Sequence, residues 1–175
     1  MGAALIVKPA LNRHLSVISF GIAQVVMDIE PGIRMLINSD VLHGPTHTFL
    51  GALIMACLVM LIAPGVCRLL LAKWNKGAIC YKLPWLAHSG SVSKTAVVIG
   101  AFFGTLSHVV LDSLMHHDIH PLSPFLATNP FLGMVTHDGV YQACTLAGVA
   151  GAAAWLTVLY AARNRHIKGE QRRET

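Results

Sequence analysis

The chain has 175 residues, of which 54% are hydrophobic and only 12% charged, with a net charge of +5. Because soluble domains carry about a quarter charged residues, this composition excludes an ordinary water-soluble domain and indicates a membrane protein. The basic residues flank apolar stretches and are not interleaved with aromatic residues, so no nucleic-acid partner is expected. The expected surroundings are a lipid bilayer.

Four apolar stretches follow one another along the chain, at residues 15–27, 46–66, 95–115 and 140–162. The last three meet the length of about 20 residues that a helix needs to cross a bilayer. The first covers only about 20 Å of a 30 Å hydrocarbon core, so whether it spans is left open, and Pro31-Gly32 is expected to end its helix. We predict an all-α integral membrane bundle of about four transmembrane helices, forming one domain over residues 1–175.

Lysine and arginine residues predict the orientation of these helices, because they are retained on the cytoplasmic side. Lys8 and Arg13 precede the first stretch, five basic residues fill a predicted loop at 65–94, and five more lie in a predicted tail at 163–175. The segment 116–139 has none. The sequence therefore predicts cytoplasmic termini, a cytoplasmic 65–94 loop, and extracytoplasmic segments between the first and second stretches and between the third and fourth.

The third stretch ends in a polar stripe formed by His108, Asp112 and His116. Residues spaced i, i+4 and i+8 lie on one face of a helix. Ionisable residues in membrane helices usually turn inward and find partners. These three side chains are therefore candidates for binding a metal ion. The simplest alternative is that they hydrogen-bond between helices.

A second pair, His43 and His47, lies before the second stretch with Pro45 between them. If a helix begins near Gly44, both imidazoles can converge on one ion, and Pro45 suits the first helical turn. Imidazole and carboxylate ligands favour zinc, with manganese or iron as alternatives. His108 and His116 are about 12 Å apart along a helix, so one ion cannot easily bind both of them and Asp112. Either two metals bind, or one of the three residues contacts a ligand and not the metal.

Asp28 and Glu30 lie at the outer end of the first stretch. Two acidic residues at a helix exit often only face water, but Asp28 interrupts an apolar run. We therefore predict that Asp28 is a metal ligand, and that Asp28 or Glu30 acts as a general base.

Other polar residues receive simpler interpretations. We expect free thiols at all four cysteines, and close helix packing at the small-residue segments 100–104 and 148–153. The remaining histidines are not expected to bind metal; they are His88 and His166 in cytoplasmic segments, His117 and His120 in a loop, and His137 at a helix start.

The order of these motifs resembles a family of bacterial membrane-bound proteins described as metal-dependent hydrolases, which includes an SOS-regulated inner-membrane protein. The resemblance covers residues 14–133, and Glu30 and Gly44 depart from the family pattern, which has Asp and Arg there. The loss of that Arg means that the resemblance does not indicate a substrate class. The matching residues are His14, Asp28, Glu30, His43-Gly-Pro-Thr-His47-Thr48, Ser107-His108-Val-Val-Leu-Asp112, Met115-His116-His117-Asp118 and Asn129-Pro-Phe-Leu-Gly133.

The sequence thus predicts a membrane-bound, metal-dependent hydrolase of the bacterial inner membrane whose site faces the extracytoplasmic side. A metal ion there would activate water, and a lipid-like or small-molecule substrate suits a site at membrane depth. The alternatives are a metal transporter or sensor, and a catalytically silent protein with a structural metal. A transporter should carry ionisable residues near the bilayer midplane, and the centres of the second and fourth stretches are apolar.

Overall fold

A computed structural model describes residues 2–83, 86–87 and 92–171, with side chains described as far as residue 161. Within these residues the chain forms helices and short 3₁₀ turns without any strand, which confirms the predicted all-α class. Two 3₁₀ turns lie at Asn12–His14 and Pro45–His47. The helices are α1 (Gly2–Leu11), α2 (Val17–Leu36), α3 (Phe49–Cys80), α4 (Lys94–Met115) and α5 (His137–Gln171).

Three helices are long and apolar enough to cross a membrane: α3, α4 and the His137–Ala161 part of α5. The 20 residues of α2 span about 30 Å, which also matches a bilayer core. However, α2 carries Asp28, Glu30 and Arg34 in its C-terminal half and, unlike the other three, does not meet the length and hydropathy of a membrane-spanning helix. These four long helices agree with the predicted membrane bundle.

The predicted end of the first helix at Pro31-Gly32 is wrong, because α2 continues to Leu36. Proline in a helix removes one backbone hydrogen bond but does not force the chain to leave the helix. Here the residues on either side of Pro31 are joined by an ion pair, with Arg34 Nη2 2.9 Å from Glu30 Oε1. This i, i+4 pair supports the last helical turns.

The predicted boundaries of the second helix and of the 65–94 loop are also wrong. The histidine pair lies on the 3₁₀ turn Pro45–His47 and the segment before it, and α3 begins at Phe49, not near Gly44. α3 then passes through Pro64 and Gly65 and ends at Cys80. At about 48 Å it exceeds the bilayer core, so its basic final turns extend beyond the membrane.

The predicted tail at 163–175 is helical as far as the structure describes it, because α5 continues to Gln171. All four cysteines, Cys57, Cys67, Cys80 and Cys144, are free, as expected.

Helices α2, α3 and α4 form the centre of the bundle through small apolar side chains, including Ala23, Ala56, Val59 and Ala101. The 100–104 segment allows close packing, as predicted. A Cβ on Gly104 would lie 2.5 Å from the Ala23 Cβ, and one on Gly100 would lie 2.5 Å from the Ser16 carbonyl oxygen. The α2–α4 contact therefore depends on these two glycines.

α1 is a short helix that lies along α5 and runs in the same direction. Gly2 contacts the Cys144 backbone, a Cβ on Gly151 would collide with Leu5, and Lys8 Nζ lies 5.5 Å from the centre of the Trp155 ring. The 148–153 segment thus packs closely, as predicted. The other side of α1 packs on Leu15, Phe20 and Phe103.

The segments 37–48 and 116–136 cover the ends of α2 and α4 and are fastened to the helices. Phe49 N donates to Pro121 O at 2.8 Å, and Asn129 Nδ2 donates to Ser113 O at 2.8 Å. Gly133 N donates to Leu114 O at 3.3 Å, and Gly133 has the positive φ of 77° that glycine adopts at no steric cost. The Asn129–Gly133 motif therefore supplies donors to the last carbonyls of α4 and fixes the 116–136 segment to the C-terminal end of that helix.

Candidate metal centre

Polar side chains gather where α2 and α4 end, beneath the 37–48 and 116–136 segments. Asp28 comes from α2, His108 and Asp112 from α4, and His47 from the 3₁₀ turn before α3. His43 lies before that turn, and its ring centre is 4.8 Å from that of His47 and 4.6 Å from that of His116. The structure therefore brings together all six residues predicted as metal ligands: Asp28, His43, His47, His108, Asp112 and His116.

Two sets of three side chains place their ligand atoms within 4.8 Å of one another. An inner set contains His43, His47 and Asp112, and an outer set contains His43, His116 and Asp118. His43 belongs to both sets, whereas Asp112 and His116 belong to different ones. This division matches the expectation that one ion does not take His108, Asp112 and His116 together.

Asp112 is the acidic centre of the inner set. Its Oδ2 lies 3.0 Å from His108 Nε2 and 3.6 Å from His47 Nε2, and Asp28 Oδ1 lies 3.3 Å from His108 Nε2. Ligands bound tetrahedrally at about 2.0–2.1 Å from zinc are about 3.3 Å apart. Each of these three pairs therefore has the spacing of two ligands of one ion, although His108 and Asp28 belong to neither set of three.

A hydrogen-bonded chain determines which nitrogen of His47 faces this centre. The Thr46 hydroxyl donates to Glu30 Oε2, and Thr46 Oγ1 lies 3.0 Å from His47 Nδ1. A hydroxyl has one proton, and Glu30 receives it, so Nδ1 must be the donor to Thr46. His47 Nε2 then has a free lone pair, as a metal ligand requires.

His43 and His108 are oriented in the same way. His43 Nδ1 lies 2.9 Å from Asp118 Oδ1, and a carboxylate accepts, so Nδ1 carries the proton. His108 Nδ1 lies 3.4 Å from Gln24 Oε1, and the Gln24 amide group donates to Gly104 O at 2.7 Å. Each of the three rings therefore has a partner at Nδ1 and leaves Nε2 for the centre.

Two of these nitrogens, His47 Nε2 and His108 Nε2, are buried without a hydrogen-bond partner among the described residues. Asp112 Oδ2 is too far from His47 Nε2 for a hydrogen bond, at 3.6 Å, and the closer Asp112 and Asp28 oxygens lie outside the hydrogen-bonding direction of His108 Nε2. A buried polar atom left unpaired costs about 1–3 kcal/mol, and such atoms need an explanation. An ion bound to Asp112 beside either nitrogen would supply the missing partner, so the residues fit a metal.

The electrostatic surroundings keep the His47 and His116 rings available as ligands. Burial, together with the neighbouring His108 and His43, lowers the pKa of His47 from 6.5 to about 4. Burial also lowers the pKa of His116, with His43 contributing. Burial alone would raise the pKa of Asp118, but hydrogen bonds from His43 and Leu42 lower it well below its usual value. At neutral pH His47 is therefore neutral and Asp118 is ionised.

The two acidic residues predicted as catalytic lie in different surroundings. The Asp28 side chain is 65% exposed and adjoins His108, whereas Glu30 is 17% exposed and binds Thr46 and Arg34. A Cβ at Gly44 would collide with Glu30 and lie 2.5 Å from Arg34 Nη2. The guanidinium of Arg34 thus occupies the space where a side chain at position 44 would begin.

The other histidines lie away from the ligand sets, apart from His137. His14 is exposed at the opposite end of the bundle, in the turn Asn12–His14, and His117 and His120 are exposed in the 116–136 segment. The His137 ring centre is 6.5 Å from that of His116, and the ring packs on Tyr141. His88 and the side chain of His166 lie outside the described residues.

Sequence reasoning missed three contributors: Asp118, Gln24 and Thr46. The run His116-His117-Asp118 was a signal for Asp118, since it places a carboxylate beside a predicted ligand. Gln24 lies one helical turn before Asp28, on the same face of α2. Thr46 carried no comparable signal, because its role depends on Glu30 from another element.

The fold and the site together define a multi-pass helical membrane protein with a buried histidine and carboxylate cluster at one end of its bundle. The chain matches the family model described as YdjM inner membrane protein over residues 7–168. It therefore belongs to this bacterial inner-membrane protein family, which confirms the predicted membrane location. No curated protein and no solved structure matches the chain.

Proposed function

We propose that the protein is a membrane-bound metal-dependent hydrolase whose centre holds a divalent ion, preferably zinc, with manganese or iron as alternatives. The observation that supports this most directly is the pair of buried, unpartnered Nε2 atoms of His47 and His108 beside Asp112. Carboxylate and histidine ligands without cysteine are typical of catalytic sites that keep a position for water.

Asp28 is the best-placed base in this proposal. It adjoins His108 within 3.3 Å, and its side chain is the most exposed carboxylate of the cluster. Glu30 accepts hydrogen bonds from Thr46 and Arg34 and is less suited to take a proton from water. When bound, the ion would lower the pKa of a water and polarise the bond to be cleaved. We assign Asp28 to proton removal and Glu30 to the positioning of His47.

The substrate class that suits the surroundings is lipid-like or otherwise amphipathic. Ile29, Ile33 and Met35 are more than half exposed on α2 beside the site, and Phe125 and Met134 are exposed on the segment that covers it. Apolar residues around a polar centre at membrane depth would hold an apolar tail while the centre acts on a polar group.

We propose further that the site faces the extracytoplasmic side, on the basis of the basic residues at the opposite end. In a variant with its four cysteines replaced, Asp40→Cys should react with an impermeant maleimide on spheroplasts, and Lys76→Cys should react only after lysis. Labelling of residue 76 but not of residue 40 on intact spheroplasts would show that the protein has the opposite orientation.

The transporter alternative is less well supported, because the central turns of α3 and of the spanning part of α5 carry no charged residue. Between Phe49 and Arg68 in α3, and between Lys94 and His108 in α4, the sequence contains none. The other alternative is a metal that only stabilises the fold. An activity measurement distinguishes such a metal from a catalytic one.

The Asp28→Asn variant should lose hydrolysis by about 10²–10⁴-fold, the usual contribution of a general base. The assay compares metal-loaded wild type and variant in lipid nanodiscs, with lipid phosphoesters and lipid amides as substrates, and bound metal is measured in parallel. His120→Ala, which changes an exposed loop residue, is the matched control. A metal-loaded wild-type protein that cleaves neither class would favour a structural metal and count against the hydrolase.

A further inference from the structure

A cavity with basic residues in its lining lies at the opposite end of the bundle from the metal centre; we call it the basic cavity. It has a volume of about 670 Å³ and is lined by residues from the end of α1, the turn after it, and the start of α4. Its polar lining includes Lys8, Arg13, His14, Ser93 and Thr95, and Trp155 of α5 borders it.

Among the residues that the structure describes, no acidic side chain lines this cavity, so its charged lining is positive. α2 and α4 both begin here, with Ser16 and Ser93 as their N-terminal caps, so the positive ends of two helix dipoles face this region. Lys8 Nζ donates to Asn12 O at 2.6 Å and Leu15 O at 2.7 Å. An ammonium group has three donors, so one remains for a ligand.

An apolar cavity of about 720 Å³ adjoins the basic one. The two share Leu71, Val92 and Ser93 in their linings. The apolar cavity runs along α3 and α4 and is lined mainly by apolar side chains, with Arg68 and Lys94 as its basic residues. Its apolar lining residues include Met60, Pro64, Val97 and Val98.

We propose that the two cavities together form a binding site for an anionic phospholipid. The phosphate would lie in the basic cavity near Lys8 and Arg13, and an acyl chain would lie along the apolar cavity between α3 and α4. Basic pockets between transmembrane helices are the usual places where anionic headgroups bind. This site is separate from the metal centre and does not depend on the proposed hydrolysis.

The test measures lipid retention by the full chain purified in detergent, using native mass spectrometry with phosphatidylglycerol and phosphatidylcholine of identical acyl chains. We expect phosphatidylglycerol to be retained at least tenfold more tightly. The double variant Arg13→Gln/Lys94→Gln should lose about tenfold or more of this affinity. Arg13 lines the basic cavity, and Lys94 follows Ser93, which lines both cavities, so both positive charges lie near the headgroup.

Lys73→Gln/Lys76→Gln is the matched control, because it removes two positive charges from exposed positions of α3 that line neither cavity. Equal retention of the two lipids, or equal loss in both double variants, would overturn the proposal. Inorganic phosphate and glycerol phosphate are titrated in competition. If either displaced phosphatidylglycerol at equal concentration, the site would be a phosphate site and the lipid assignment would fall.

Discussion

His47→Ala and His108→Ala are each expected to abolish stoichiometric binding of a divalent metal, with affinity falling by more than about 100-fold. The two residues come from different elements, a 3₁₀ turn and α4, yet both direct a buried Nε2 atom toward Asp112. Removing a supporting residue around a metal typically costs 10–100-fold, so loss of a ligand should cost more. Elemental analysis of detergent-purified protein, after loading with zinc, manganese or iron, measures the effect.

His117→Ala is a suitable control because this histidine is exposed and lies one residue from a predicted ligand. It should keep the wild-type metal content. Thermal unfolding of each variant separates loss of the site from loss of the fold. If the wild-type chain binds no metal and both alanine variants fold normally, the histidines only connect helices, and the metal hypothesis should be abandoned.

The helical class and most of the cluster could be predicted from the sequence because both depend on local spacing. Apolar stretches of sufficient length predicted α3, α4 and α5, and the i, i+4 spacing of His108 and Asp112 placed them on one face. The rarity of ionisable residues in membrane helices then indicated that they face inward. These inferences need no knowledge of which helices are neighbours.

Helix ends were less predictable because proline has different effects in different surroundings. A helix was expected to end at Pro31-Gly32 and a loop to begin at residue 65, but Pro31 and Pro64 both lie inside helices. In α2 the Glu30–Arg34 pair joins the turns around Pro31, and in α3 the apolar sequence continues on both sides of Pro64. The sequence shows which backbone hydrogen bond a proline removes. Whether the helix continues past the proline depends on packing and ion pairing, which the sequence does not show.

The supporting residues of the site were harder still to predict, because they act between elements. Glu30 was a candidate base on the basis of its position near Asp28. In the structure it reaches Thr46, on the segment before α3, and this contact is why we propose that it positions His47 rather than acts as the predicted base. Only the packing of α2 against that segment creates the chain from Glu30 through Thr46 to His47.

Thr46→Val should weaken metal binding by about 10–100-fold while leaving the fold intact. Valine has nearly the shape of threonine, but it removes the hydroxyl that accepts from His47 Nδ1 and donates to Glu30. His47 would then be free to carry its proton on Nε2, the nitrogen that faces Asp112. Supporting residues that fix a histidine tautomer typically contribute this much to metal affinity. Competition with a chromogenic chelator measures the dissociation constant.

Thr46→Ser distinguishes the hydroxyl from the rest of the side chain, since it retains the proton donor and acceptor and should bind metal nearly as wild type does. Glu30→Ala should weaken binding as well, because it leaves the Thr46 hydroxyl free to donate to Nδ1 in the wrong tautomer. Since both changes break one chain, the double variant should lose less than the product of the two single effects. Independent effects would show that Glu30 supports the site by another route, and wild-type affinity in Thr46→Val would show that the hydroxyl does not orient His47.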